Sequence, residues 1–156
     1  MKLIALAAAT LGLALAAPAA AQNVEKIGPA GGRILTAAKV KATAETLYLS
    51  GTLASPTTEG GKEYGDTKTQ TISTLKNIKA RLEAAGYTMK DIVRMDAFLV
   101  AAPGMDGKMD FAGFNAGFAE FFGTAENPTT TTRTTMQIAA LAGPQFLVEL
   151  TVIAAK

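Results

Sequence analysis

The stretch DTKTQTISTLKNIKARLEAAG, residues 66–86, followed five residues later by IVRMDAFLV, residues 92–100, changes its hydrophobic period and decides the fold class. In the first part Ile72, Leu75, Ile78, Leu82 and Ala85 recur at spacings of three and four, while Lys68, Lys76, Lys79 and Arg81 fall elsewhere. That spacing predicts an amphipathic helix, with Asp66 as its N-cap and Gly86 as its stop. In the second part Val93, Met95, Ala97 and Leu99 alternate with Arg94, Asp96 and Phe98, the pattern of a strand buried on one face. On such a strand Arg94 and Asp96 read as a local ion pair or an interface contact.

Working outward, residues 110–122 place Phe111, Phe114, Phe118 and Phe121 along one helical face that Gly123 ends. An aromatic stripe of this kind is read as core packing that fastens a helix to a sheet. Pro128 and the threonine run 129–132 lead into a strand over 133–139, and Gly143-Pro144 turns into a last strand over 146–154. Upstream, residues 34–41 and 46–50 are expected to form a β-hairpin, preceded by a glycine-punctuated leader, residues 22–32. The loop 51–65 carries Pro56, Gly60, Gly61 and Gly65 and no regular element. The resulting order of strand, strand, helix, strand, helix, strand, strand predicts an α+β domain with two helices on one face of its sheet. Leu147 and Ile153 are then expected on the bare face, where a closed homo-oligomer would cover them. Lys39, Lys41, Lys62 and Lys68 read as solvated surface.

The ends and composition narrow the function. Lys2, the apolar run 3–16 and Ala19-Ala20-Ala21 read as a secretory signal peptide, residues 1–21, cut between Ala21 and Gln22. Residues 22–156 then form one domain, exported, most simply to a bacterial periplasm, with no membrane attachment after cleavage. Removal of Lys2 takes Lys+Arg from 15 to 14 against 13 Asp+Glu, so no electrostatic footprint for nucleic acid is expected. There is no cysteine and no histidine. Thiol nucleophiles and thiolate metal sites are excluded, and the commonest general base and metal ligand are missing. Phosphate-loop and dinucleotide-binding glycine motifs are absent too.

Two charges stand out in the strand-like C-terminal runs: Arg133 and Glu149. A guanidinium grips a carboxylate through two parallel bonds, and a carboxylate among apolar neighbours can move a proton, so together they sketch a site for a small acidic metabolite. For each the competing reading is a strand charge that is solvated or ion-paired.

Leu47-Tyr48-Leu49-Ser50-Gly51, Gln70 with Leu75-Lys76-Asn77-Ile78, Ala84-Ala85-Gly86, Asp91-Ile92-Val93, Asp110-Phe111 with Phe114-Asn115 and Phe121-Phe122, and Arg133 followed by Val148-Glu149 with Ile153-Ala154 resemble, in order and spacing, the RidA family, also called YjgF. The resemblance runs from about Val40 to Ala154. It implies a fold like that of bacterial chorismate mutase, a mixed sheet with two helices, assembled as a homotrimer with pockets between subunits. It also implies hydrolysis of reactive enamines and imines such as 2-aminoacrylate to 2-oxo acids and ammonia, with no metal or cofactor. Carried over by position, Arg133 would clamp the substrate carboxylate. Glu149, with backbone groups at Gly51 and Thr135, would hold the attacking water, and Ser50, Phe111 and Asn115 would line the pocket. The ligand class implied is a small imine or 2-oxo acid.

The chain departs from the family at several points. The stretch Ile34-Leu35-Thr36-Ala37-Ala38 lacks the usual tyrosine, Thr135 stands where cysteine is common, Thr131-Thr132 replaces Pro-Ala, and residues 103–108 form a longer connection. The missing tyrosine motivates a second reading, a non-catalytic binding protein for small carboxylic acids. The ribonuclease activity attributed to some relatives is a weaker third.

Overall fold

The computed structural model describes residues 23–156, so the expected signal peptide and its cleavage point lie outside the described residues. A two-stranded antiparallel sheet pairs β1 (Val24–Ile27) with β2 (Ala37–Val40). The main sheet has four strands in the order β3 (Thr46–Leu53), β6 (Val148–Ala155), β4 (Ile92–Leu99), β5 (Thr132–Gln137). Pairing is antiparallel except between β4 and β5. Helices α1 (Thr67–Ala84) and α2 (Phe111–Phe118) cover one face, giving the expected mixed α+β architecture.

The expected hairpin between residues 34–41 and 46–50 does not form. Instead β2 pairs with β1, which lies inside the stretch expected to be a leader, and β3 pairs with β6. Lys41 N donates to Asn23 O at 2.9 Å, whereas Glu45 and Lys156 exchange N–H···O bonds of 3.0 and 3.1 Å. The turn between Lys41 and Glu45 therefore passes the chain from one sheet to the other. Short β-compatible runs carry no local mark of their partner, so adjacency in sequence misleads here.

Helix α1 has the predicted ends. Thr69 N donates to Asp66 Oδ1 at 2.8 Å, which holds the Asp66 carboxyl below its ordinary value. At the other end Gly86 takes φ +77, Gly86 N reaches Glu83 O at 3.0 Å and Tyr87 N reaches Leu82 O at 2.8 Å, a Schellman stop. Its buried face is more polar than expected: Leu75, Ile78 and Leu82 are joined by Thr67, Gln70, Thr71 and Thr74, while Ala85 is exposed.

These helix residues meet Phe114, Phe118 and Phe122, the inward residues Ile92, Met95, Ala97 and Leu99 of β4, and Val148, Leu150, Val152 and Ala154 of β6. Each large apolar side chain buried there contributes about 1.5–3 kcal/mol. Three expectations are corrected. The predicted helix over 110–122 ends at Phe118, and its tightened last turn (Phe121 N to Phe118 O, 3.1 Å) buries Phe122 where Phe121 was expected, leaving Phe111 exposed. Leu147 enters the helix-side core, because it precedes the regular alternation of β6. Ile153 does face the other side, where it packs against Val24, Val93 and Ala155. Val93 leaves the predicted face because the ladder slips between Ile92 and Arg94.

Gln70, only 1% exposed, anchors the start of β6. Its Nε2 donates to Gly65 O (3.1 Å) and Gln145 O (2.9 Å), and its Oε1 accepts from Leu147 N at 2.8 Å. Gln70→Leu strands the buried Leu147 N and removes the donor to the part-buried Gly65 and Gln145 carbonyls, and a buried orphan costs about 1–3 kcal/mol. The expected result in urea unfolding is a loss of about 2–4 kcal/mol; a loss under 1 kcal/mol would show that Gln70 does not anchor the strand.

Candidate functional site

Strand parity sorts the candidate residues into two groups. Arg133 pairs with Met95, a helix-side core residue, and therefore faces α2. Glu149 alternates with buried Val148 and Leu150 and pairs with Phe98 and Leu53, so it stands on the opposite face. Within one protomer the arginine and the glutamate are on opposite sides of the sheet.

Helix α2 builds the arginine group. Asp110 Oδ1 caps it by accepting from Gly113 N at 2.8 Å, and Phe111, Asn115 and Phe118 then share a face at helical spacing. Arg133 Nη2 donates to Asn115 Oδ1 at 2.8 Å, and its guanidinium carbon lies 4.5 Å from the Phe118 ring centroid and 4.9 Å from that of Phe114. Cation–π contact partly offsets the lost hydration. The other terminal nitrogen, Nη1, is buried and has no acceptor among the described residues. Thr135 follows two positions along the same face of β5, and Phe111, 45% exposed, stands at the open end of α2. The aromatic stripe read from the sequence as core thus also walls the arginine.

The glutamate group arises from an irregularity in β3. Leu49 pairs with Val152 and Thr52 with Leu150, so Ser50 and Gly51 together oppose Thr151, a β-bulge. Thr52 Oγ1 donates to Ser50 O at 3.1 Å inside it. Gly51 must lack a side chain here: a Cβ would lie 2.0 Å from Glu149 Oε1. Ser50, Gly51 and Glu149 are therefore brought together, with main chain and carboxylate at contact distance. On the same face Arg94 Nη2 bonds Asp96 Oδ1 at 2.5 Å and Thr134 Oγ1 at 2.7 Å, which is the expected local ion pair.

Arg33 was not a sequence candidate. Its positive charge acts on Arg133, whose pKa is pushed down to about 10, first by burial and second by Arg33. No local pattern marks Arg33, which sits in a glycine-rich loop and meets β5 only through the tertiary fold. Among the described residues the ion pairs are Lys68–Glu120, Lys79–Glu83 and Arg94–Asp96, so neither arginine has a carboxylate within 4.0 Å. The same residues hold no cluster of three metal-ligating His, Cys, Asp or Glu side chains, and no helix among them is long and apolar enough to cross a membrane.

A guanidinium with one arm held and one without an acceptor has the chemistry to bind an anion. Its folded pKa lies below the ordinary value yet well above neutrality, so the guanidinium keeps its charge at pH 7. Affinity for a small carboxylate such as 2-oxobutanoate is expected to fall at least about tenfold in Arg133→Ala. Titration calorimetry on both proteins checks this; affinity undiminished in Arg133→Ala would mean that Arg133 is not the clamp.

Comparison with known proteins places this geometry in a family. The family model described as endoribonuclease L-PSP matches residues 36–156. The RutC family protein of Saccharolobus solfataricus is 36% identical over 115 residues, covering 72% of this chain and 80% of that protein. A RutC family protein of Pyrococcus horikoshii is 36% identical over 80 residues, 51% of this chain, and the match spans only 59% of that protein's length. The structure of E. coli TdcF with bound serine superposes with a TM-score of 0.58 at 28% identity, covering 75% of this chain and 84% of that one. A family model that spans most of the chain, on a fold shared with solved members, leads to one assignment: the chain belongs to the endoribonuclease L-PSP family, the RidA or YjgF group.

Proposed function

We propose that the protein hydrolyses enamines and imines of small 2-amino acids to 2-oxo acids and ammonia. The observation that carries this reading is Arg133, a protonated guanidinium with one arm held by Asn115 and a buried free arm aimed at no protein acceptor. It receives the substrate carboxylate in a two-bond grip. Phe111 and Thr135 flank the bound acid, and the Phe114 and Phe118 rings fix the plane of the clamp.

The chemistry then needs a proton and a positioned water. An enamine accepts a proton on carbon and becomes an iminium, and water adds to the C=N carbon. The resulting carbinolamine expels ammonia as its hydroxyl gives up a proton, leaving the 2-oxo acid. One water is consumed and one ammonia released. Glu149, beside Gly51 in the β3 bulge, holds the water and moves the proton. Such intermediates already react in water, so orientation and proton transfer suffice.

Because Arg133 and Glu149 face opposite ways in one protomer, the reading requires a homotrimer in which the arginine of one copy meets the glutamate of the next. The Glu149 face carries apolar surface suited to that contact: Tyr48, 73% exposed, with Met136 and partly buried Phe98 and Ile153. A second reading, a binding protein without turnover, is favoured by the absence of tyrosine from residues 34–38. The relative TdcF has been solved with bound serine, a small carboxylic acid. The family description also names an endoribonuclease. A formal net charge of only +2 and the lack of histidine favour the imine reading over it.

The test supplies imines in situ with an amino-acid oxidase and follows ammonia release. Glu149→Gln is expected to lower kcat about 100-fold, and Arg133→Ala to raise KM at least about tenfold. Mixed assemblies of the two inactive variants should regain about a quarter of the activity, because a quarter of their sites combine an intact arginine with an intact glutamate. Wild type and Arg133→Ala behaving alike would exclude imine hydrolysis at this site; mixtures that stay inactive would exclude the shared pocket. Carboxylate binding without turnover would instead establish the binding protein.

We place the working protein outside the cytoplasm, in a periplasm, on the strength of the apolar run 3–16 and the small residues before Gln22. N-terminal sequencing of protein recovered from a periplasmic extract is expected to begin at Gln22, and recovery of Met1 from the cytoplasm would refute export.

A further inference from the structure

We propose that Arg33 is a second anion-binding residue of the Arg133 site, so that the site selects ligands with two anionic groups, short-chain dicarboxylates or their imines, over monocarboxylates. This rests on the reading of Arg133 as a carboxylate clamp and adds the class of substrate.

The segment that bears Arg33 is tied to the start of β5. Arg33 O accepts from Thr130 Oγ1 at 2.8 Å, Leu35 N donates to Thr131 O at 3.0 Å, and Thr36 N donates to Ile27 O at 2.9 Å. The backbone of Arg33 is thereby held beside the threonine run that leads, three residues after Thr130, to Arg133. Arg33 is exposed, whereas the side chain of Arg133 is wedged between Asn115 and two phenylalanine rings.

Charge supplies the second part. Two arginines whose segments meet at the start of β5 repel, and proteins ordinarily place a carboxylate between such charges. Here neither has one within 4.0 Å, and residues 1–22 contain no Asp or Glu that could reach in. A ligand with one carboxylate answers Arg133 and leaves Arg33 unbalanced. A ligand with a second carboxylate at its far end answers both. Where the family usually carries a tyrosine, residues 34–38 have no hydroxyl-bearing aromatic, so the charge of Arg33 is the distinctive polar feature beside the clamp. Imines of acidic amino acids, which carry a carboxylate at each end, meet this description.

Titration calorimetry on the full mature chain at low salt, with 2-oxobutanoate and 2-oxoglutarate as probes, tests the idea. The dicarboxylate is expected to bind about five- to tenfold more tightly to wild type, and the preference should shrink in 0.5 M salt as the exposed charge is screened. Arg33→Ala brings the ratio of affinities close to one, Arg33→Lys keeps most of it, and Arg133→Ala weakens both ligands. Equal affinities in wild type, or a preference that survives Arg33→Ala, overturn the role of Arg33 while leaving the clamp intact. If neither probe binds wild type, the clamp reading and this inference fall together. Binding with the expected preference but no imine hydrolysis would remove the catalytic reading alone.

Discussion

The main sheet closes only when the last strand in the sequence, β6, enters between β3 and β4, and the buried amide of Gln70 determines where that strand begins. Everything at the candidate site follows from the resulting register. Val148, Leu150, Val152 and Ala154 turn toward the helices, while Glu149, Thr151 and Ile153 turn away. A slip of one residue would bury the carboxylate of Glu149 in the core and expel four apolar side chains, so register is strongly specified. The same register opposes Ser50 and Gly51 to Thr151 and brings Glu149 against a glycine that leaves room for it.

On the other side of the sheet an electrostatic problem is left open. Burial, and second the charge of Arg33, lower the pKa of Arg133 to about 10, a cost to its charged form. Asn115 and the phenylalanine rings offset part of it, yet the described residues place no carboxylate within 4.0 Å. A structural arginine would ordinarily be paired at this depth, because an unpaired buried charge is costly. The unpaired state makes sense as preorganisation, since a donor already desolvated and oriented loses little on binding an anion.

Local features were legible in the sequence because their causes are local. The caps of α1, the alternation of β4, the end of α2's start at Asp110 and the Arg94–Asp96 pair each depend on residues within a few positions of one another. Gln70 could be quoted as part of a family pattern, but its task could not be read, since its partners Gln145 and Leu147 lie more than seventy residues away. The misread hairpin has the same origin: residues 37–40 suit a strand, and nothing in them distinguishes β1 from β3 as partner. Replacement of Phe121 by Phe122 in the core came from a tightening of the helix end, a change of rotation too small for a periodic pattern to register.

Residue type and order alone determined the α+β class, the two helices, the exclusion of thiol and histidine chemistry, and the singling out of Arg133 and Glu149. Periodicity, capping preference and the side-chain inventory are enough for that. Tertiary structure alone decided that these two charges face opposite sides of one sheet, that the segment bearing Arg33 is tied to the start of β5 and that Gly51 makes room for Glu149. The reason is that strand order and register are set by contacts between segments distant in sequence, and such contacts leave no trace in the local pattern of either partner.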